Sequence, residues 1–160
     1  MYHLVIIVIC VLYLFFANTI ALLFYNGSKV EKVNFDSLKS NSKAYVSVES
    51  SEHLGGMFEE EYFHGWAFCE TKVDNTNKQI NIIFKNNKTN KCYRVKSNAQ
   101  FRPDVYGVFR KTTGIYNGMN GINCKFSTIG MEKGSYKVYI QVIENDTNYS
   151  VYDTGNELII

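Results

Sequence analysis

Apolar residues run unbroken near the start of the chain and then alternate with polar ones along most of its remaining length, so two kinds of element are predicted. From Leu4 to Phe24 no charged residue occurs, and only Asn18 and Thr19 interrupt the aliphatic and aromatic run. A helix of that length rises about 30 Å, the thickness of a hydrocarbon core. The run therefore predicts one transmembrane helix, kept as a signal-anchor within residues 1–28 and holding the chain in a lipid bilayer through residues 4–24. A cleaved signal peptide is the alternative, with Thr19 and Ala21 as small residues before the cut. The run exceeds the usual apolar region of such peptides, and no Lys or Arg precedes it. Lys29, Lys32, Lys39 and Lys43 follow the helix, so the positive-inside rule taken alone opposes export of the C-terminal part. The β-rich remainder, which has no cytosolic enzyme motif, favours a single-pass cell-membrane protein whose C-terminal domain is extracellular.

Residues 29–43 hold Ser37, Ser40, Ser42 and four lysines without a sustained apolar period. They read as a polar stalk, with Val33, Phe35 and Leu38 as the only material for a docked turn. From residue 44 to residue 160 the period is two and turn residues divide it. Strands are predicted over 44–49, 62–69, 80–85, 91–96, 122–127, 136–144, 149–152 and 157–160. The plainest puts Tyr136, Val138, Ile140 and Val142 on one face and Lys137, Tyr139 and Gln141 on the other. Ile80, Ile82 and Phe84 share a face in the same way. Asn86–Asn90 and Asn145–Asn148 read as hairpin connections, because Asn tolerates left-handed backbone. The long segment 97–121 contains Arg102-Pro103-Asp104-Val105, where Pro103 suits the first position of a short helical turn. So long a crossover favours a chain that passes between two sheets over a simple meander. The expected fold is all-β, an Ig-like antiparallel β-sandwich of about seven strands behind one transmembrane helix.

Composition narrows the function classes. The chain has 17 basic and 15 acidic residues, and a net charge of +2 dispersed in this way argues against nucleic acid as a partner. Four cysteines include Cys10 in the apolar run, leaving Cys69, Cys92 and Cys124 with no CxxC spacing. That excludes a zinc-ribbon pattern and permits at most one bridge. Cys69 with Cys92 is the best pairing if a bridge forms, but three free, mostly buried thiols are the preferred reading. His53 and His64 flank Glu59, Glu60 and Glu61, but their spacing is wrong for a helical metal-ligand pair, and an acidic run entering a strand usually guards an edge. No nucleophile elbow and no phosphate-binding glycine loop is present, so no catalytic residue, metal or cofactor is predicted.

Two short motifs stand out. Gly65-Trp66-Ala67-Phe68 makes one face of a strand bulky and the other thin, and Arg102-Pro103-Asp104-Val105 follows about thirty-five residues on. Structural roles are preferred: Trp66 as a core anchor, Arg102 and Asp104 as an ion pair holding the crossover. Tyr106, Phe109, Tyr116, Asn117 and Asn120 are aromatics and amides of the kind that stack on and hydrogen-bond to sugars. They form the candidate binding set, and the competing role for the aromatics is to cover the end of the core.

These motifs also carry a resemblance. His64-Gly65-Trp66-Ala67-Phe68, a hairpin ending in Tyr93-Arg94-Val95, Arg102-Pro103-Asp104-Val105 with Phe109, Gly134-Ser135-Tyr136-Lys137-Val138 and Asp153-Thr154-Gly155 succeed one another in order. Together they resemble a small β-sandwich module of bacterial surface proteins, found alone behind a membrane anchor or joined to enzymes that build or decorate envelope polysaccharide. The likeness covers residues 46–160. It implies an Ig-like accessory domain with no catalytic residues of its own, while the three cysteines and the lack of an attached enzyme depart from the pattern. The function expected is a membrane-anchored, noncatalytic extracellular binding module whose partner is a cell-envelope glycan or a membrane protein. The alternative is a structural accessory subunit that docks onto a membrane glycosyltransferase or acyltransferase. A third reading, a small hydrolase using His64 and an acidic partner, has the least support.

Overall fold

The four residues Tyr136, Val138, Ile140 and Val142, placed on one strand face by their alternation, are all fully buried in the computed structural model. That model describes residues 2–23, 25–70, 78–113, 118–144 and 149–160. After the helix α1 (Tyr2–Leu23), the described residues form nine strands: β1 (Val30–Val33), β2 (Ala44–Gly55), β3 (Glu60–Cys69), β4 (Gln79–Asn86), β5 (Cys92–Lys96), β6 (Asn98–Gln100), β7 (Gly121–Ser127), β8 (Ser135–Ile143) and β9 (Tyr149–Ile159). A short helix, α2 (Pro103–Phe109), lies between β6 and β7. The strands form two antiparallel sheets, one ordered β1-β5-β4-β8-β9 and the other β2-β3-β7-β6. Phe63 of β3, Phe84 of β4 and Phe126 of β7 meet between them, with ring centroids 5.0–6.1 Å apart. Beyond α1 the described residues are mostly β, with α2 as an addition to the two sheets.

The strands differ from the sequence expectation in two ways. β1 and β6, too short to show a period, are additional, and the two C-terminal strands expected separately are one strand, β9, with a register shift opposite Lys137 and Tyr139. β1 lies inside the supposed stalk. Val30 pairs with Val95 and Val33 with Cys92, because four residues with apolar ends suffice to cap an edge that would otherwise expose unpaired amides. Phe35 then turns onto the sheet, its ring 4.9 Å from Tyr139 and 4.5 Å from the Lys85 ammonium. The Asn41 and Ser42 amides donate to the Tyr149 carbonyl. Residues 29–43 are thus joined to the sandwich along much of their length.

The predicted hairpin at 86–90 is present, with Asn90 at φ 57° and the Asn86 side-chain oxygen accepting from the amides of Lys88 and Thr89 at 2.9 Å. The other predicted hairpin, 145–148, lies outside the described residues. Pro103 opens α2 at its first turn as expected. The described cysteines are unbridged. Cys69 lies beside Val142 and Glu144 at the start of β4, whereas Cys92 pairs with Lys85 near its end, so a strand's length, on the order of 20 Å, separates two residues whose Cα atoms a bridge needs within about 7 Å. Cys69, Cys92 and Cys124 are free and buried, as the preferred reading of the sequence has them, and the Cys69–Cys92 bridge candidate is set aside. In α1 the described side chains from Leu4 to Tyr13 are exposed. Among the described residues, no helix is long and apolar enough to cross a membrane.

Candidate functional site

Alternation along β3 sends Phe63, Gly65, Ala67 and Cys69 toward the core and Tyr62, His64, Trp66 and Phe68 to the opposite face. The inner side has to be thin, because a Cβ added to Gly65 would lie 2.2 Å from the Ser47 carbonyl, where β2 bulges between Val48 and Ser50. The outer side is correspondingly thick. There Trp66 and Phe68 stack at 5.9 Å, Tyr45 stacks on Phe68 at 5.2 Å, and Phe109 of α2 closes over all three at 5.3–5.7 Å. Val105 is buried in this second cluster. Trp66 is accordingly not an anchor of the main core, which is the placement its bulk suggests. It serves a satellite core that fixes α2 to the outside of the four-stranded sheet.

One guanidinium ties the polar border of that cluster together. Arg102 donates to both oxygens of Glu49 at 2.8 and 2.9 Å and to both oxygens of Asp104 at 2.6 and 3.0 Å, with a further contact to the Gly65 carbonyl at 3.4 Å. The Arg102–Asp104 pair read from the sequence is present, and Glu49 is the partner that sequence could not supply, since it arrives from β2. Hydrogen bonds from Arg102 hold the Asp104 carboxyl down at about 2 and lower that of Glu49. Those to Asp104 and then Glu49 push the guanidinium further toward its charged form. His64 completes the row, its Nδ1 3.1 Å from Glu49 and its ring parallel to Tyr62 at a centroid distance of 6.5 Å. The result is a file of half-exposed rings, Tyr62, His64 and Trp66, bordered by charge and roofed at one end by α2.

The candidate residues from the crossover are dispersed. Tyr106 and Phe109 are half-buried on α2, and Arg110 lies over the Tyr106 ring at 5.8 Å. Tyr116 and Asn117 lie outside the described residues. Asn120 is fully buried, its side-chain oxygen accepting from Lys78 and its carbonyl accepting from the Ala67 amide at 2.8 Å, so it is corrected from a surface ligand to an interior residue. At the far end of β2, His53 Nδ1 donates to the Glu61 carboxylate at 2.6 Å, and this bond raises the imidazole above its ordinary range. Among the described residues no group of three or more His, Cys, Asp or Glu is placed to hold a metal ion.

Sequence reading missed Tyr62, Glu49 and Lys78. For Tyr62 the signal was available, since it shares the parity of Trp66 and Phe68. For Glu49 and Lys78 it was not, because each meets its partners across strands remote in sequence. Compared with known proteins, the chain matches no family model, no curated protein and no solved structure.

Proposed function

We propose that this protein is a membrane-anchored, noncatalytic binding module with an Ig-like sandwich, displayed outside a Gram-positive cell and directed at envelope polysaccharide. The observation that carries the reading is the file Tyr62, His64 and Trp66 beside Arg102 and Glu49, half-exposed rings next to paired charge on the outer face of the four-stranded sheet. Sugars offer apolar ring faces for stacking and hydroxyls for charged acceptors and donors, and both are supplied along one line. A catalytic role for His64 is disfavoured by its partner, because Glu49 is already bound at both oxygens by Arg102. The anchor is supported by the uncharged run Leu4–Phe24 and by the exposure of residues 2–13 of α1. A helix apolar on all sides is stable where lipid or protein covers it.

The test is affinity electrophoresis of the detergent-solubilised full chain in gels containing purified envelope glycan. Retardation that Tyr62→Ala and Trp66→Ala each reduce is the expected result. Unaltered mobility at millimolar sugar removes the carbohydrate assignment. Cleavage of the sandwich by protease added to intact cells tests the exported orientation. Phe101 and Val108, 63% and 69% exposed on either side of the start of α2, favour a second reading, an accessory subunit docked onto a membrane glycosyltransferase or acyltransferase. Co-purification with such an enzyme, lost on Phe101→Ser and Val108→Ser, would distinguish it.

A further inference from the structure

At one end of the sandwich three polar side chains meet where water is excluded. Lys78 directly precedes β4, Asn120 directly precedes β7 and Glu144 directly follows β8. The Lys78 and Glu144 side chains are 5% and 2% exposed, and Asn120 is fully buried. The Lys78 nitrogen donates to Glu144 Oε1 at 2.9 Å and to the side-chain oxygen of Asn120. The other two partners are held by β3: Glu144 Oε1 accepts from the Cys69 amide at 2.9 Å, and the Asn120 carbonyl from the Ala67 amide at 2.8 Å. The Phe68 ring, 6.0 Å from the Lys78 nitrogen, closes the apolar wall.

An interior ion pair alone is a weak stabiliser, since desolvation consumes most of the attraction. A primary amine in contact with both a carboxamide and a carboxyl group does, however, bring together the reactants and the proton carrier of an amide exchange. We propose that Lys78 and Asn120 become covalently joined through an intramolecular amide bond, with Glu144 relaying the protons. In the first step the ammonium of Lys78 gives one proton to Glu144. The free amine then attacks the Asn120 side-chain carbonyl carbon and forms the new C–N bond. Glu144 delivers its proton to the departing amide nitrogen and takes one from the attacking nitrogen. The old C–N bond breaks and ammonia leaves. One amine and one primary amide become one secondary amide plus ammonia, with no oxidant, reductant or cofactor consumed.

Three features of the site favour this course. Burial lowers the Lys78 ammonium toward its neutral form, against the opposing pull of Glu144. The backbone bonds of Ala67 and Cys69 fix the reacting groups in contact, which replaces a bimolecular encounter by an internal one. The neighbouring Cys69 thiol is pushed up to about 12 by burial, so it stays protonated and does not compete as nucleophile. The product would staple the start of β4 in the five-stranded sheet to the start of β7 in the four-stranded one. It would do so in a domain whose described cysteines form no bridge.

The experiment is intact-mass spectrometry of the purified full chain in detergent, followed by tryptic mapping. Wild type is expected about 17 Da below its sequence mass, the mass of one ammonia. It should yield a branched peptide containing both Lys78 and Asn120, with no tryptic cut after Lys78. Lys78→Met, Asn120→Ala and Glu144→Gln are each expected at their full sequence masses. Wild type at full mass overturns the proposal. So does a loss that persists in Lys78→Met, which would mark cyclisation of Asn120 onto the Gly121 nitrogen instead. If Glu144→Gln still loses ammonia, the relay assigned to Glu144 is wrong. Should a variant not fold, the branched peptide in wild type decides alone.

Discussion

Replacing Phe109 by Ala should detach α2 from the sheet while leaving the sandwich folded. Phe109 is half-buried, and its ring contacts Trp66, Phe68 and Tyr45 at 5.4, 5.3 and 5.7 Å. Truncating a fully buried Phe costs about 3–5 kcal/mol, and partial exposure lowers that. Each aromatic pair adds about 0.5–1.5 kcal/mol beyond burial, with the tilted contacts here at the lower end. The expected loss is about 2–3 kcal/mol, a fall of about 10 °C in the midpoint if the domain melts as one unit. Trp66 is the single tryptophan, so its emission reports on this cluster alone, whereas far-UV circular dichroism reports on the strands. In Phe109→Ala the emission should shift to the red at denaturant concentrations that leave the sheet signal intact. Unchanged emission together with a stability loss below about 0.5 kcal/mol, the range of an inert surface change, would refute the idea that this ring holds α2 in place.

The same geometry sets other outcomes. Gly65→Ala should destabilise by about 3 kcal/mol through collision with the Ser47 carbonyl, measured by urea titration, and no substitution of Ser47 should rescue it because the colliding atom is backbone. Arg102→Ala removes bonds to two carboxylates from a side chain 16% exposed, and about 1–2 kcal/mol should be lost at pH 7 after allowance for solvent screening. Because Arg102 depresses the Asp104 and Glu49 carboxyls, their contribution is full above about pH 4.5 and disappears as pH falls toward 2. Wild type and Arg102→Ala should therefore converge in stability at acid pH. His53, raised by Glu61, should titrate above about 6.5 in NMR spectra and return toward that value in Glu61→Gln. Its contribution to folding is present below that pH and fades as pH rises through the folded value.

How much of this was legible from sequence depended on whether the information was local. The inward residues of β4 and β8 come from period two, and the Asn86–Asn90 turn and Pro103 start of α2 come from side-chain chemistry within a few residues. The pairing of residues 30–33 with β5 is a contact between segments some sixty residues apart, and no local property of Val-Glu-Lys-Val announces it. Trp66 shows the same limit differently. Its parity correctly set it opposite Gly65 and Ala67, but which face was the interior depended on where β2 bulged and where α2 landed. Asn120 read as a surface amide because only the fold brings Lys78 to it.

The docking of the segment after α1 has a consequence for reach. Ser28 is already bridged to Phe126, with its amide donating to Lys125 at 2.7 Å, and Tyr25 rests on Phe58. The chain from Leu23 to Ser28 can extend at most about 17 Å. If α1 is embedded in lipid, that edge of the sandwich rides at the headgroups on a leash too short to carry it away from the bilayer surface. Whatever it recognises must come down to the bilayer or already be confined there, and a neighbour sharing the same plane would be met sideways, at a local concentration that makes even a weak contact persistent.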